Sequence, residues 1–144
     1  MNQVGKTRYM FGGESEVPLV LRATEGGTLG AAAQHSGTVH TLVSHLPGIK
    51  VVAPATPAAS KGLIKESVRS DDPVMFFENK AIYGERGEVR TGDRTVPLGE
   101  ASVERTGDDV TVVATQRLFG EAMAVADDLA GTAELEVIDP RSLY

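Results

Sequence analysis

The stretch Ile49-Lys50-Val51-Val52-Ala53-Pro54, then Thr56-Pro57, then Pro73-Val74-Met75-Phe76-Phe77-Glu78, decides the fold. Its first run is β-branched and stopped by proline, which is how a strand ends. Thr56 can accept from the free N–H groups of a helix start, and Pro57 has its φ set for the first helical position. A helix is therefore expected from there to Ser70-Asp71-Asp72-Pro73. Leu63, Ile64 and Val68 are its expected apolar side, with Lys61, Lys65, Glu66 and Arg69 in solvent. Val74 to Phe77 are all apolar, so this strand should be buried on both faces. Strand, helix, strand is the crossover unit of a parallel sheet. Such sheets bind ligands beyond the carboxyl ends of their strands.

Upstream, Val17-Pro18-Leu19-Val20-Leu21-Arg22 predicts a further buried strand. The segment from Glu25 to Gly30 is too rich in glycine for a regular element. Gln34-His35-Ser36 follows it, and Thr38 to Leu46 can form a short helix stopped by Pro47-Gly48. His35 is thus an imidazole on a loop at the ligand edge of the sheet, which makes it the candidate site residue. His40 and His45 do not share a helical face with it and cysteine is absent, which argues against a zinc cluster. On this reading His40 lies on a helix surface. Ser36 lacks the G-x-S-x-G elbow of a nucleophile. The glycine run lacks both the P-loop lysine and the G-x-G-x-x-G spacing, so it reads as a turn close to a ligand.

Downstream, Asn79 to Arg94 carries glycine, arginine and glutamate with little apolar content, and reads as a linker or exposed hairpin. Val96 to Arg105 alternates in character, and Thr106-Gly107-Asp108 is a turn. A buried strand is expected from Asp109 to Thr115, carrying Val110, Val112 and Val113. The next helix, Leu118 to Ala130, has Leu118, Ala122, Val125, Ala126 and Leu129 at helical spacing. A last strand runs from Leu135 to Asp139. A second strand–helix–strand unit with so few strands leaves edges unpaired.

Composition narrows the function classes. The 144 residues are 41% hydrophobic and 24% charged, values of an ordinary globular chain. No apolar run approaches the ~18 residues of a membrane span, and the first twenty residues have no signal-peptide core. Absence of cysteine fits a reducing compartment, so the chain reads as cytoplasmic. Residues 1–78 hold seven basic and seven acidic side chains, whereas residues 79–144 hold seven and thirteen. No basic stripe with interleaved aromatics exists, which argues against a nucleic-acid partner.

A resemblance emerges from these residues taken in order. It is carried by Lys6-Thr7-Arg8-Tyr9, Gly12-Gly13, Val17 to Arg22, Gln34-His35-Ser36, His45 to Val52 and Lys61-Gly62-Leu63. Asp72-Pro73-Val74, Phe77-Glu78, Tyr83, Val96-Pro97-Leu98-Gly99, Asp109-Val110-Thr111 and Val137-Ile138-Asp139-Pro140-Arg141 continue it. The whole chain resembles the beta subunit of the thiamine-diphosphate-dependent 2-oxoacid dehydrogenases, the decarboxylating component of the pyruvate and branched-chain complexes. The resemblance implies an α/β chain: part of a parallel-sheet, transketolase-like pyrimidine-binding domain at 1–78, a linker at 79–95, and the start of a transketolase C-terminal domain at 96–144. It also implies an alpha subunit that holds the diphosphate and magnesium, a second beta subunit, and a lipoyl acyltransferase core as partners. The histidine of the family's QHS motif falls on His35, where it orients the thiamine-bound intermediate and assists reductive acylation of lipoyl. In some relatives a corner matching Leu19, Val20, Ser67, Val68, Ser70 and Asp72 binds potassium, although Ser70 stands where the pattern has aspartate.

The family's beta subunit is more than twice this long. Its cofactor-activating glutamate, and an aromatic that packs on the aminopyrimidine, would precede Met1. The chain thus reads as an internal fragment, inactive alone. Two other readings are another transketolase-type enzyme, such as a deoxyxylulose phosphate synthase, and a non-catalytic remnant that binds an alpha-like partner. The Gln34-His35-Ser36 context argues against the first of these.

Overall fold

The computed structural model describes residues 1–27 and 30–144. Along the chain run α1 (Asn2–Met10), β1 (Val20–Glu25), α2 (His40–Ser44), β2 (Lys50–Val52), α3 (Pro57–Val68) and β3 (Val74–Asn79). After these come β4 (Ser102–Arg105), β5 (Val110–Val113), α4 (Gln116–Asp128) and β6 (Leu135–Asp139). The first three strands form a parallel sheet in the order β1-β3-β2. The last three form a mixed sheet in the order β4-β6-β5, with β4 antiparallel and β5 parallel to β6.

The deciding stretch folds as its chemistry requires. Thr56 Oγ1 accepts a hydrogen bond from Ala59 N at 3.1 Å, and Pro57 opens α3. In β3, alternate residues serve opposite faces, as the two-residue period of a strand demands. Val74 and Phe76 join Val52, Ala59 and Leu63 in one core cluster. Met75 and Phe77 join Ile49 and Val51 in another on the far side. The strand expected to be buried on both faces is.

Other expectations need correction. Strand β1 begins at Val20 rather than Val17 and continues to Glu25. Pro18 has no N–H to donate, and pairing with β3 starts at Val20 opposite Val74. Gly26, at φ +88°, then turns the chain out of the sheet. Nor is β1 buried throughout, because it is an edge strand of the first sheet and leaves Leu21 and Arg22 exposed. Val68 also leaves its expected face and is 69% exposed. The buried face of α3 is Ala59, Gly62, Leu63 and Ser67, which turns the next residue outward. Gly62 lets the chain at Val96 pack close, since a Cβ there would lie 3.0 Å from Val96 N.

In the second unit the expected strand at 109–115 is shorter and more open. Val110 and Val113 are exposed and Val112 is half-buried, because β5 is an edge strand with one face toward α4. The buried stripe of α4 consists of Phe119 and Ala126 with Ala122 and Met123, not Leu118, Val125 and Leu129, which are exposed. Both stripes have helical spacing, and the bulk of Phe119 selects the first. Residues 83–94 are exposed and form no hairpin strand; a single 3-10 turn, Lys80–Ile82, precedes them.

Two features were not anticipated. Helix α1 buries no residue of its own, and docks where a Cβ on Gly48 would collide with the Gly5 carbonyl. The segment after β6 crosses to the open edge of β2. There Ala53 N donates to Arg141 O at 3.0 Å, and Leu143 N to Val51 O at 2.9 Å. Among the described residues no helix is long and apolar enough to cross a membrane.

Candidate active site at the carboxyl edge of the first sheet

Because β1, β2 and β3 run parallel, their carboxyl ends share one edge. The loop leaving β1 there is closed at its base by a hydrogen bond from Gly26 N to Gly37 O, 3.0 Å long. Thr28 and Leu29 of the expected glycine turn lie outside the described residues. His35 ends a 3-10 turn, Ala33–His35, and its side chain is exposed. Ser36 Oγ donates to Ala32 O at 2.6 Å, so this hydroxyl staples the turn. Ala32 sits at φ +59°, a left-handed conformation that side chains rarely adopt. The result is a tightly wound turn that presents His35 beyond the strand ends.

Sequence reasoning placed His40 on a helix surface, and the structure overturns that. Its Nδ1 lies 2.6 Å from Glu25 Oε1, and the Glu25 side chain is fully buried. Glu25 Oε2 also accepts from Val39 N at 2.9 Å and His40 N at 3.1 Å. The His40 ring meets Phe77 edge-on, with centroids 6.2 Å apart. Only the fold brings Glu25 and His40 together, and neither sequence period nor motif marks the pair. Farther along the edge, Gln116 is buried at φ +52°. Its Nε2 donates to Phe77 O at 3.2 Å, and its Oε1 accepts from Asn79 Nδ2 at 3.3 Å. The start of α4 is thereby fixed to the end of β3.

The corner of Leu19, Val20, Ser67, Ser70 and Asp72 lies at the opposite end of the sheet. Leu19 O accepts from Val74 N at 2.8 Å, and the buried Ser67 Oγ donates to Leu63 O at 2.7 Å. Lys50 Nζ stands 3.0 Å from Asp72 Oδ2 and 3.1 Å from Ser70 Oγ, and Arg8 Nη1 is 2.9 Å from Asp72 Oδ1. The charge facing Asp72 is therefore supplied by the protein itself. Among the described residues, no group of three or more His, Asp and Glu side chains is placed to hold a metal.

The Lys50 hydrogen bond holds the Asp72 carboxyl below the ordinary 3.8; burial opposes it, and the Arg8 hydrogen bond and both positive charges add to the lowering. A depressed carboxylate stabilises the fold above its unfolded pKa, and that contribution is lost as pH falls through the folded value. With Asp72 about a third exposed, solvent screens much of the effect. We expect urea stability to fall from pH 7 to pH 3, and Asp72→Asn to show a smaller fall. Equal falls in both proteins would remove Asp72 from the acid response.

Residues 1–85 match the family described as "Transketolase, pyrimidine binding domain", and residues 99–144 match "Transketolase, C-terminal domain". The chain is 46% identical over 143 residues to the acetoin:2,6-dichlorophenolindophenol oxidoreductase subunit beta of Cupriavidus necator, covering 99% of this chain and 42% of that protein. It is 40% identical over 148 residues to the mitochondrial pyruvate dehydrogenase E1 component subunit beta of Caenorhabditis elegans, with the same two coverages. A split-gene transketolase, solved as an inactive beta4 tetramer, superposes with a TM-score of 0.72 at 23% identity, covering 97% of this chain and 46% of that one. At that identity the superposition speaks for fold alone. The chain spans less than half the length of these relatives. With its pyrimidine-binding region followed by a C-terminal-domain region, the chain belongs to the transketolase family, and its relatives include beta subunits of the acetoin and pyruvate enzymes.

Proposed function

We propose that the chain is part of the beta subunit of a thiamine-diphosphate enzyme of the 2-oxoacid dehydrogenase type. Such an enzyme cleaves the bond beside a carbonyl and passes the acyl group to lipoyl. One observation carries the reading. A chain that matches such beta subunits along nearly its whole length presents His35 on a tied loop at the carboxyl edge of a parallel sheet. The residues present suit one wall of a cofactor site and not the whole of it. Glu25, the buried carboxylate at this edge, is already used by His40 and two backbone amides, and so is not available to an aminopyrimidine. That role, with the diphosphate and magnesium, falls to chain segments and an alpha subunit beyond these residues.

When bound, thiamine diphosphate supplies the electron sink for cleavage beside the carbonyl. This chain contributes His35, an imidazole that can hold or move a proton near neutral pH. A second beta subunit and a lipoyl acyltransferase core complete the assembly we propose, in the cytoplasm. At the Asp72 corner both carboxylate oxygens are already paired, one with Lys50 and one with Arg8, so we assign the positive charge there to these side chains rather than to potassium. Among substrates we favour acetoin over pyruvate, because the acetoin relative has the higher identity of the two compared.

The beta subunit containing this sequence should be mixed with an alpha subunit and assayed for reduction of 2,6-dichlorophenolindophenol. Acetoin, pyruvate and 3-methyl-2-oxobutanoate would each be offered, with and without thiamine diphosphate. Cofactor-dependent turnover is expected only with both subunits present, and highest with acetoin. The 144-residue chain alone should neither turn over nor bind the cofactor tightly. Micromolar binding by the chain alone, or no cofactor-dependent turnover with any partner, would refute the assignment.

A further inference from the structure

We propose that Glu25 and His40 are positioning residues for His35, because together they fix the loop that carries it to the end of the first sheet. The proposal rests on the functional reading of His35 only for its catalytic consequence. A buried carboxylate is costly unless its oxygens are hydrogen-bonded. Glu25 is 1% exposed, and three donors converge on it: Val39 N, His40 N and His40 Nδ1. With Glu25 ionised, its oxygens only accept, so Nδ1 is the donor in this pair. Hydrogen bonds to an ionised group are the strong kind.

The placement of these bonds gives them their role. Glu25 is the last residue of β1, and Val39 and His40 begin α2, so the pair joins the two ends of the loop. Gly26 N to Gly37 O adds a second tie one residue further along. Among the described residues the bonds inside the loop are local: His35 N to Ala32 O, Ser36 N to Ala33 O and Ser36 Oγ to Ala32 O. Those bonds shape the turn but do not attach it to the sheet. Among the described residues the attachment is through Glu25 and Gly26, with the His40 ring braced against Phe77 of β3. Glu25 itself is enclosed and does not reach the exposed side where His35 stands. It acts through the loop and not on a substrate.

The test uses the isotopically labelled 144-residue chain and needs no activity. In Glu25→Ala, the amides of Gly26, Val39 and His40 should exchange with solvent about tenfold or more faster. The His35 ring resonances should move, while Val51 and Phe76 amides keep wild-type protection. His40→Ala removes the Nδ1 bond and the ring's contact with Phe77 but keeps both amide bonds to Glu25, and should cause a smaller change of the same sign. Glu25→Gln retains an acceptor for the two amides, so it should restore much of their protection relative to Glu25→Ala. If Glu25→Ala fails to fold, His40→Ala decides alone. Wild-type His35 resonances and loop exchange in the folded variants overturn the proposal. In the assembled enzyme, His40→Ala should lower kcat for acyl transfer and leave the affinity for thiamine diphosphate unchanged. A loosened loop with unchanged turnover would refute the catalytic reading of His35 and leave the tether standing.

Discussion

Phe76→Ala should cost the fold about 3–5 kcal/mol, the usual range for emptying a buried aromatic site. Phe76 is completely buried on the central strand of the first sheet, where it joins Val52 of β2, Val74 of β3, and Ala59 and Leu63 of α3. Val20 of β1 and Val96 of the connecting segment close around the same cluster. Truncation therefore leaves a void bounded by three strands, one helix and the connection to the second unit, and no single neighbour can swing in to fill it. Domains have only about 5–15 kcal/mol of stability in total. The loss should lower the melting temperature by roughly 10 °C or leave the chain unfolded at ambient temperature. Val68→Ala is the informative control. A sequence reading that puts Val68 on the apolar side of α3 predicts a core-sized penalty, whereas its 69% exposure predicts a change within about 0.5 kcal/mol. Thermal melts of the two variants decide. A Phe76→Ala midpoint within two or three degrees of wild type would show that this cluster does not hold the sheet together.

The contrast between Phe76 and Val68 illustrates what local sequence chemistry reveals here. A proline-stopped β-branched run, a Thr-Pro helix start and four consecutive apolar residues each carry their own cause, and all three appear in the structure. The phase of α3 does not, because the adjacent apolar residues Leu63 and Ile64 head different stripes, Ile64 with Val68 and Leu63 with Ala59 and Ser67. Choosing between them needs the neighbour, and Val96 approaches over Gly62. Helix α4 repeats the problem with Phe119 against Leu118. Helix α1 could not be read at all, since it has no buried residue and is docked by a glycine–glycine approach that leaves no hydrophobic period. The site divides in the same way. His35 stands out because it follows glycines after a strand. Glu25 and His40 do not, since their bond joins the end of a strand to the start of a helix across a loop of no fixed period.

Replacing His35 with alanine is expected to remove most acyl transfer to lipoyl in the assembled enzyme, by about 10²–10⁴-fold, the usual cost of losing a positioned acid–base group. Cofactor affinity should change little. His35 is exposed on a turn whose shape is held by backbone and Ser36 hydrogen bonds, so truncating the ring disturbs no buried contact. His40→Ala cannot serve as a neutral control, because it breaks the bond to buried Glu25. Thr41→Ala, exposed on α2, is the better one and should keep wild-type turnover. Lipoyl-dependent turnover and thiamine diphosphate affinity would be measured for both variants, alongside a melt to confirm folding. A deficit in kcat alone means that the ring acts after the cofactor is bound. A deficit that follows cofactor affinity would make His35 a binding residue, and full turnover without the ring would move the acid–base work to another residue, on this chain or on its partner.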